Sequence, residues 1–434
     1  MRSQIKPASQ RESASPKPRA AHRFWRRAVC ARLERLAWGT ITLREENRTQ
    51  VYGERGTDDA PQVTITVNHQ RLFASLALGG SVGAAEAYMR GDWSCDDLPG
   101  LIRVLVRNAS VMFHMESGLA RLTQSVLRFY HWLRRNTKRG SQLNIYAHYD
   151  LGNDFYSLFL DETMTYSCGI FKTAASTLAE ASREKYDRIC RKLDLTSDDH
   201  VVEIGCGWGG FAIHAAKRYG CRVTGTTISR QQYDWATNRV KRLGLSGRIQ
   251  ILRQDYRDLN GAYDKLVSIE MIEAVGHQYL GHFLRTCSRL LKPDALMALQ
   301  AITIADQYYA QHIRSVDFIK RYIFPGSCLV SVTALCQTAT KATDLRAVHL
   351  EEISRHYAET LRRWRIAFFN RIDEVKALGF DEGFIRMWEF YLCYCEGAFE
   401  EQYIGDVQMI FAKPLHRQLG PRKSDDPKSL PEGE

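Results

Sequence analysis

The residues best suited to chemistry lie in a glycine-rich run at 201–210, which reads Val-Val-Glu-Ile-Gly-Cys-Gly-Trp-Gly-Gly. A β-branched stretch leads into the glycines, and a helix-like segment follows them. A strand, a glycine turn and a helix in this order form a nucleotide-binding crevice, because glycines let backbone N–H groups approach a ligand closely. The run therefore predicts a cofactor site at Gly205 and Gly207.

A carboxylate two residues before the first glycine narrows the choice of cofactor. Glu203 would repel a pyrophosphate, but it would attract the α-ammonium group of S-adenosylmethionine. The bulky Trp208 inside the turn also suits a dinucleotide poorly. No acidic residue closes the next predicted strand, 221–227, where the ribose of NAD would need one. The turn therefore favours S-adenosylmethionine, and Arg230 leaves NADP as an alternative.

Alternating predicted strands and helices place this turn in a parallel sheet with helices on both faces. The predicted strands are 200–205, 221–227, 248–254, 263–270 and 295–304. The predicted helices between them are 209–219, 229–243 and 278–291. The remaining elements are an insertion at 305–342, two amphipathic helices at 355–377 and 381–401, and a final edge strand at 405–412.

A small α+β unit precedes this sheet. Its predicted strands, 40–43 and 63–67, alternate in polarity, and 82–90 is a predicted helix. Residues 101–140 are helical and basic, and they end at the predicted domain boundary. The expected divisions are a basic segment at 1–38, the small domain at 39–140, a large domain at 141–413 and a disordered tail at 414–434.

Positive charge is concentrated at the N-terminus. The 434 residues carry a formal net charge of +11, and the first 38 contain ten Lys or Arg against two Glu. Arginines interleave with apolar residues from 23 to 38, which predicts an amphipathic helix that can lie on an anionic membrane. A disordered solubilising tail is the alternative, and an organelle transit peptide fits less well because of the predicted helix.

The cysteine pattern indicates a reducing compartment. Eleven cysteines are scattered without a CxxC pair, so we expect neither disulfides nor a structural zinc site, and no metal. The sequence shows no apolar run near 18 residues and no secretory apolar region, so we expect no transmembrane helix. A cytoplasmic protein is the resulting expectation.

Several further stretches, together with the glycine turn, resemble the cyclopropane-fatty-acyl-phospholipid synthase family of S-adenosylmethionine-dependent methyltransferases. They are His-Tyr-Asp-Leu-Gly-Asn-Asp-Phe-Tyr at 148–156, Met-Thr-Tyr-Ser-Cys at 164–168, Met-Ile-Glu-Ala-Val-Gly at 271–276 and Arg-Tyr-Ile-Phe-Pro-Gly at 321–326. The resemblance covers roughly 144–413 and is weaker over the small domain. It implies an α/β class I methyltransferase fold, with a Rossmann-like, mostly parallel seven-stranded sheet and a helical insertion.

The resemblance implies transfer of a methylene group from S-adenosylmethionine to a cis double bond in the acyl chains of membrane phospholipids. Such an enzyme would sit peripherally on the inner face of the membrane, and its basic N-terminus would contact anionic headgroups. A fatty-acid C-methyltransferase without ring closure is the alternative. Nucleic acid is not an expected partner, because 270–273 reads Glu-Met-Ile-Glu where nucleic-acid methyltransferases often carry Asn/Asp-Pro-Pro-aromatic. A homodimer is possible.

The resemblance also assigns the cofactor site. Glu203, Gly205 and Gly207 would line the methionine end of the cofactor, and Tyr149, Tyr166 and Ser167 would hold its carboxylate. The ribose and adenine would meet Thr227, Ile228, Gln232, Asp255 and Tyr256.

For catalysis, the resemblance implies a bound bicarbonate that removes a proton from the transferred methyl group. Its expected holders are Cys168, Glu273, the backbone of Ile302, Tyr357 and a histidine. This chain carries Gln300 in place of that histidine. Glutamine can donate a hydrogen bond to an anion but cannot titrate, so ring closure with altered anion affinity and loss of ring closure are both open.

Overall fold

A computed structural model of the chain describes residues 19–54, 56–108, 136–137, 140 and 151–417, with side chains from residue 23 onward. Tyr149 and most of the 101–140 segment lie outside the described residues. The same holds for residues 1–18 and 418–434. The domain boundary at 140 and the disorder expected of the C-terminal tail therefore stay predictions.

The small unit is α+β, with more elements than the sequence predicts. Its sheet has the order β2-β1-β3-β4, in which β1 and β3 run parallel and the other pairs antiparallel. The strands are β1 (Thr40–Glu45), β2 (Arg48–Tyr52), β3 (Gln62–Val67) and β4 (Trp93–Cys95), and the helices are α1 (Arg19–Leu33), α2 (Arg71–Met89) and α3 (Leu98–Arg107). The short β2 and β4 and the first half of α2 were not predicted.

Helix α1 packs into the small unit, which corrects the expectation that its apolar side would be free for a membrane. Val29 and Leu33 are buried in the same hydrophobic cluster as Ile41 of β1. On its polar side, Arg26 donates from Nε to Glu45 at 2.8 Å. From residue 19 onward, the segment predicted to be separate is thus part of the folded unit.

Helix α2 is long and apolar enough to cross a membrane by length and composition alone, although the sequence analysis expected no such segment. Phe73 and Tyr88 of this helix are buried in the protein core. At Gly80 the backbone leaves the helical path, with φ 56° and ψ −137°. These are the features of a kinked core helix.

The large unit contains a seven-stranded sheet of order β10-β11-β9-β8-β5-β6-β7, in which only β11 runs opposite to its neighbours. Its strands are β5 (His200–Ile204), β6 (Arg222–Thr227), β7 (Ile249–Arg253), β8 (Tyr263–Ile269), β9 (Leu291–Ile304), β10 (Arg346–Glu352) and β11 (Ile404–Ala412). Strands β5, β6 and β8 have mostly buried centres, as expected of a sheet covered on both faces, and the edge strand β7 is only partly buried. The predicted fold class is confirmed.

Helices connect and cover these strands. They are α4 (Asn153–Ser157), α5 (Leu178–Lys192), α6 (Gly210–Tyr219), α7 (Arg230–Arg242), α8 (Leu280–Leu290), α9 (Asp306–His312), α10 (Val332–Ala342), α11 (Ser354–Asn370), α12 (Ile372–Ala377) and α13 (Glu382–Glu400). Helix α5 begins at a capping box, in which Thr177 and Glu180 each bond the other's backbone N–H. Helix α7 begins at Ser229, whose hydroxyl accepts from the N–H of Gln232.

Two details of the sheet differ from the sequence prediction. The strand predicted at 405–412 as the edge is β11, which lies between β9 and β10 and is buried. The true edge strand, β10, was missed because almost all of its residues are exposed and show no apolar alternation. The predicted helix at 355–377 is divided into α11 and α12 at Arg371.

Helix α13 joins the two units. Its Arg386 donates to the backbone oxygen of Trp93 at 2.8 Å, and its Glu389 accepts from the hydroxyl of Tyr88 at 2.6 Å. Gly397 lies at the closest approach to α3, where an added Cβ would stand 2.8 Å from both the Ile102 Cβ and the Pro99 oxygen. The two units therefore share one hydrophobic core through this helix.

We predict that Gly397→Ala destabilises the protein, because the new methyl group has no room between α13 and α3. Overpacking of this kind costs about 1–3 kcal/mol. Thermal unfolding followed by circular dichroism should show a lower midpoint. Gly383→Ala on the same helix is the control, since its Cβ would meet only an Asp381 side-chain oxygen at 3.4 Å. Equal midpoints for the two variants would contradict the packing described for Gly397.

Candidate active site

The glycine turn leaves the carboxyl end of β5 and leads into α6. Gly205 and Gly207 have φ of 83° and 52°, in the left-handed region that favours glycine. A Cβ on Gly205 would stand 2.6 Å from the Met271 side chain, whereas one on Gly207 would meet nothing within 4 Å. The backbone at Gly207 is therefore open to a ligand.

The open side of this turn faces a cavity of about 390 Å³ at the carboxyl ends of the parallel strands. This is the edge at which ligands bind in open α/β sheets. The predicted site residues that line it are Tyr166, Ser167, Glu203, Gly205, Gly207, Thr227, Ile228, Gln232, Asp255, Tyr256, Glu273, Ile302 and Tyr357. Cys168 and Gln300 lie behind the wall, and Tyr149 is outside the described residues.

Glu203 presents an incompletely satisfied carboxylate to the cavity. Only 3% of the residue is exposed, and its Oε2 atom has no hydrogen-bond partner among the described residues. Burial raises the pKa of Glu203 to about 8, against the opposing charge of Lys185 and a hydrogen bond from the backbone of Ala212. A cationic group beside this oxygen would satisfy it, so the residue fits the α-ammonium group of S-adenosylmethionine.

Polar side chains at the ends of β6 and β7 form the next part of the wall. The hydroxyl of Thr227 donates to Gln232 Oε1 at 2.8 Å, and both residues are buried. Asp255 is paired with Arg257 at 2.6 Å, and Tyr256 packs edge-on against Phe283. These contacts hold the side chains predicted for the ribose and adenine in fixed positions.

Glu270, which the sequence analysis did not select, lies at the centre of the predicted bicarbonate site. It follows directly after β8, and its Oε1 accepts from the backbone N–H of Cys168 at 2.8 Å and from Gln300 Nε2 at 2.7 Å. Its Oε2 accepts from the hydroxyl of Tyr357 at 2.6 Å. Its position at the carboxyl end of a predicted parallel strand is the sequence signal that could have identified Glu270 as a site residue.

The remaining predicted anion ligands are also engaged by the protein itself. Glu273 Oε1 accepts from the backbone N–H of Ile302 at 2.5 Å, and its buried Oε2 has no partner among the described residues. Burial, and then the charge of Glu270, raises the pKa of Glu273 to about 8. The donors expected for bicarbonate are thus used by two carboxylates of the chain, so this donor set does not fit a bound bicarbonate.

Two residues behind the wall complete the site. The thiol of Cys168 is fully buried against the backbone oxygens of Gly169 and Ile353, and burial raises its pKa well above the ordinary value. Gln300 also donates to Asp406 Oδ2 at 3.0 Å. Cys168 therefore contributes its backbone N–H, and not its thiol, to the contacts with Glu270.

Lys185 of α5 was not identified from the sequence. It is fully buried, and its ammonium group donates to the hydroxyl of Ser167. Burial lowers the pKa of Lys185, and the charge of Glu270 opposes that effect. On an amphipathic helix rich in charges, such a lysine looks like a surface residue. Its burial beside Ser167 could therefore be recognised only from the structure.

Aromatic rings surround the middle of the cavity. Tyr357 stacks on Phe399 at 4.4 Å between ring centroids, and Tyr166 packs on Trp364 at 5.2 Å. The hydroxyls of Tyr166 and Tyr391 are 2.9 Å apart. Aromatic faces attract positive charge without reacting with it.

The cavity also reaches the small unit through apolar side chains. Ile102, Leu105 and Val106 of α3 line it together with Ala398 of α13. The glycine turn, the aromatic rings and the apolar side chains of α3 therefore line one cavity.

The seven-stranded fold and its glycine turn define a class I S-adenosylmethionine-dependent methyltransferase. The mycolic acid cyclopropane synthetase family matches residues 136–409, which is more than half of the chain. The chain belongs to this family. The family resemblance and the enzyme class expected from the sequence are thereby confirmed.

Curated relatives carry names that differ in the reaction. A tuberculostearic acid methyltransferase of Mycobacterium tuberculosis is 38% identical over 78% of this chain and 80% of its own length. A probable fatty acid methyltransferase of Pseudomonas putida is 34% identical over 82% of this chain and 88% of its own. The cyclopropane-fatty-acyl-phospholipid synthase of Escherichia coli K12 is 33% identical over 82% and 89%.

Solved structures agree with the fold. The cyclopropane synthase MmaA2 of Mycobacterium tuberculosis superposes with a TM-score of 0.58 at 29% identity, over 63% of this chain and 98% of that one. A mycolic acid cyclopropane synthase in complex with SAH and CTAB gives a TM-score of 0.59 at 30% identity, with the same coverage.

We predict that binding of S-adenosylmethionine at pH 7 releases a proton from Glu203. The pKa of about 8 leaves this carboxyl mostly protonated in the free protein, and an adjacent ammonium group favours its ionised form. Calorimetric titration in buffers of different ionisation enthalpy measures the number of protons released. Glu203→Gln should bind more weakly and release fewer protons.

Glu382→Gln, at an exposed position of α13, is the control and should behave as the unmodified protein. Equal proton release by Glu203→Gln and this control would reject the assigned role of Glu203.

Proposed function

We propose that the protein transfers a methylene group from S-adenosylmethionine to a cis double bond in the acyl chain of a membrane phospholipid, which gives a cyclopropane fatty acid. The observation that carries this proposal is one cavity lined both by the glycine turn and by apolar side chains of α3. A long apolar substrate could thus reach the cofactor without passing through water. The name of the Escherichia coli relative, a cyclopropane-fatty-acyl-phospholipid synthase, supports the same substrate class.

Bound S-adenosylmethionine would supply an electrophilic methyl group. An alkene is a weak nucleophile, so the walls must hold the double bond in line with that group at near-attack distance. The apolar and aromatic walls exclude water from the positive charge that forms on the acyl chain. Tyr166, Tyr357 and Phe399 line the cavity, and their rings would stabilise this charge.

A fatty-acid C-methyltransferase that leaves a methyl- or methylene-branched chain is the second candidate. Gln300 favours it, because this residue replaces the histidine expected from the family resemblance. The methyltransferase names of the Mycobacterium tuberculosis and Pseudomonas putida relatives also support it. Both candidates share methyl transfer to the double bond. For the cyclopropane, the C–H pair released by the methyl group closes the ring; for the methylene-branched chain, a hydride first moves from the methylated carbon to the neighbouring cationic carbon, and the released C–H pair then forms the new double bond.

We propose that the exposed side of α1 contacts the membrane. Its inner side is packed, but Phe24 is 62% exposed and Arg27 is also exposed. Together with the basic residues at 1–18, this side would contact anionic headgroups. This arrangement supports the proposal that the protein attaches peripherally to the inner face of the membrane.

We predict that the protein adds one CH₂ to phosphatidylglycerol vesicles with cis-unsaturated chains when S-adenosylmethionine is present. Gas chromatography with mass spectrometry of the released chains should find a product that lacks an alkene. A product of equal mass that keeps a double bond would instead establish the second candidate. Absence of any lipid product would reject both.

A variant of the apolar part of the cavity lining tests the proposed path of the acyl chain. Leu105→Lys places a charge on α3 in the path proposed for the acyl chain, so it should lose lipid modification. Because Leu105 belongs to α3 and not to the glycine turn or the ends of the parallel strands, affinity for S-adenosylmethionine should persist. Full lipid modification by Leu105→Lys would contradict the proposed path.

We further predict that the double variant Phe24→Ser/Arg27→Glu sediments less with anionic vesicles than the unmodified protein. Raising the salt concentration should weaken binding of the unmodified protein as well, since exposed charges are screened over about 8–10 Å at physiological salt. Arg218→Glu, on an exposed part of α6, is the charge-matched control. If the double variant sediments like this control, docking does not involve α1.

A further inference from the structure

Three hydrogen-bond donors from separate elements converge on one point of the cavity wall, and we call them the anion cage. They are the backbone N–H of Cys168, the side-chain amide of Gln300 on β9 and the hydroxyl of Tyr357 on α11. The family resemblance assigns these groups to bicarbonate. A cage of this kind holds a carboxylate equally well, because the two anions offer similar oxygen acceptors.

The chain fills this cage with its own side chain. Both oxygens of Glu270 are engaged, at 2.6–2.8 Å from the three donors. Glu270 also lines the cavity, so its carboxylate stands between the cage and the space for the substrate. It therefore occupies the place in which a separate anion was expected.

The backbone at Glu270 supports a functional role for this side chain. Its φ is 47°, in the left-handed region that glycine adopts readily and other residues adopt only with strain. Its backbone N–H donates to the backbone oxygen of Gln300 at 2.9 Å. A side chain retained in spite of such strain is characteristic of functional sites.

We propose that the Glu270 carboxylate, and not bicarbonate, is the base that removes the proton from the transferred methyl group. The inference rests on the proposed function and names the proton acceptor for it. It applies to both candidate products, because each requires one proton to leave.

The bonds balance as follows for the cyclopropane. The methyl carbon–sulfur bond breaks with its electron pair on sulfur, and the alkene π pair forms the new carbon–carbon bond. Positive charge remains on the other alkene carbon. A Glu270 oxygen then takes a proton from the new methyl group, and the released C–H pair bonds to the positive carbon and closes the ring. The sulfonium charge and the carboxylate charge both disappear, so no oxidant or reductant is needed.

Neighbouring groups are suited to this role. The charge of Glu270 acts on the buried ammonium group of Lys185, which lies behind the wall. Glu273 is less suited, because its pKa of about 8 keeps it mostly protonated at pH 7. Burial and then the charge of Glu270 raise the pKa of Asp406 well above its ordinary value.

The test compares two substitutions of Glu270 on vesicles of cis-unsaturated phosphatidylglycerol in carbonate-free buffer. The unmodified protein should form lipid product at full rate without bicarbonate. Glu270→Gly should relax the backbone, empty the cage and lower the rate by about 10²–10⁴-fold, the usual contribution of a general base. Added bicarbonate should restore part of that rate, because the freed donors can hold it.

Glu270→Gln should lose a similar fraction of the rate but gain nothing from bicarbonate, since the amide still fills the cage and cannot take a proton. Asp194→Gly is the matched control, because it also removes a carboxylate from a left-handed position, with φ 53°, away from the cavity. It should keep the full rate. Calorimetry should find similar affinity for S-adenosylmethionine in all these proteins.

Bicarbonate dependence of the unmodified protein, or full activity of Glu270→Gly in carbonate-free buffer, would overturn the inference while leaving the proposed function in place. Failure of the unmodified protein to modify lipid under any condition would reject the proposed function, and the inference with it.

Discussion

The arrangement of carboxylates in a water-poor cavity is the constraint on which the rest of this active site depends. Removing a charged group from water is unfavourable unless hydrogen bonds or opposite charges replace the lost solvation. Glu270 has such replacement from three donors, whereas Glu203 and Glu273 each keep one oxygen without a partner among the described residues. The first carboxylate is fully hydrogen-bonded within the protein, and the other two leave room for a ligand or a proton.

The hydrogen bonds to Glu270 require elements that are distant in the sequence to be positioned accurately relative to one another. The donors to Glu270 come from the segment before α5, from β9 and from α11. Gln300 is itself oriented by Gln408 of β11, whose amide donates to it at 3.1 Å. The antiparallel strand β11, inserted beside β9, therefore acts on the site as well as on the sheet, because it fixes which way the glutamine amide points.

Much of the parallel sheet could be predicted from the sequence, because buried strands and glycine turns leave strong local patterns. The turn at Gly205 and the carboxylate at Glu203 follow from such patterns. Strand β10 could not be predicted, since an exposed edge strand has no apolar periodicity. Glu270 and Lys185 were missed because their importance comes from partners far away in the sequence, and a charged residue alone does not reveal its burial.

Helix α13 has a consequence for how this protein can be recombined with its relatives. One side of the helix closes the cavity through Tyr391, Tyr394 and Ala398, and another side packs on the small unit through Arg386 and Glu389. A chimera that exchanges only the N-terminal unit would bring a foreign surface against α13 and alter the cavity wall at the same time. The small unit and helix α13 therefore have to be exchanged together, although they lie far apart in the sequence.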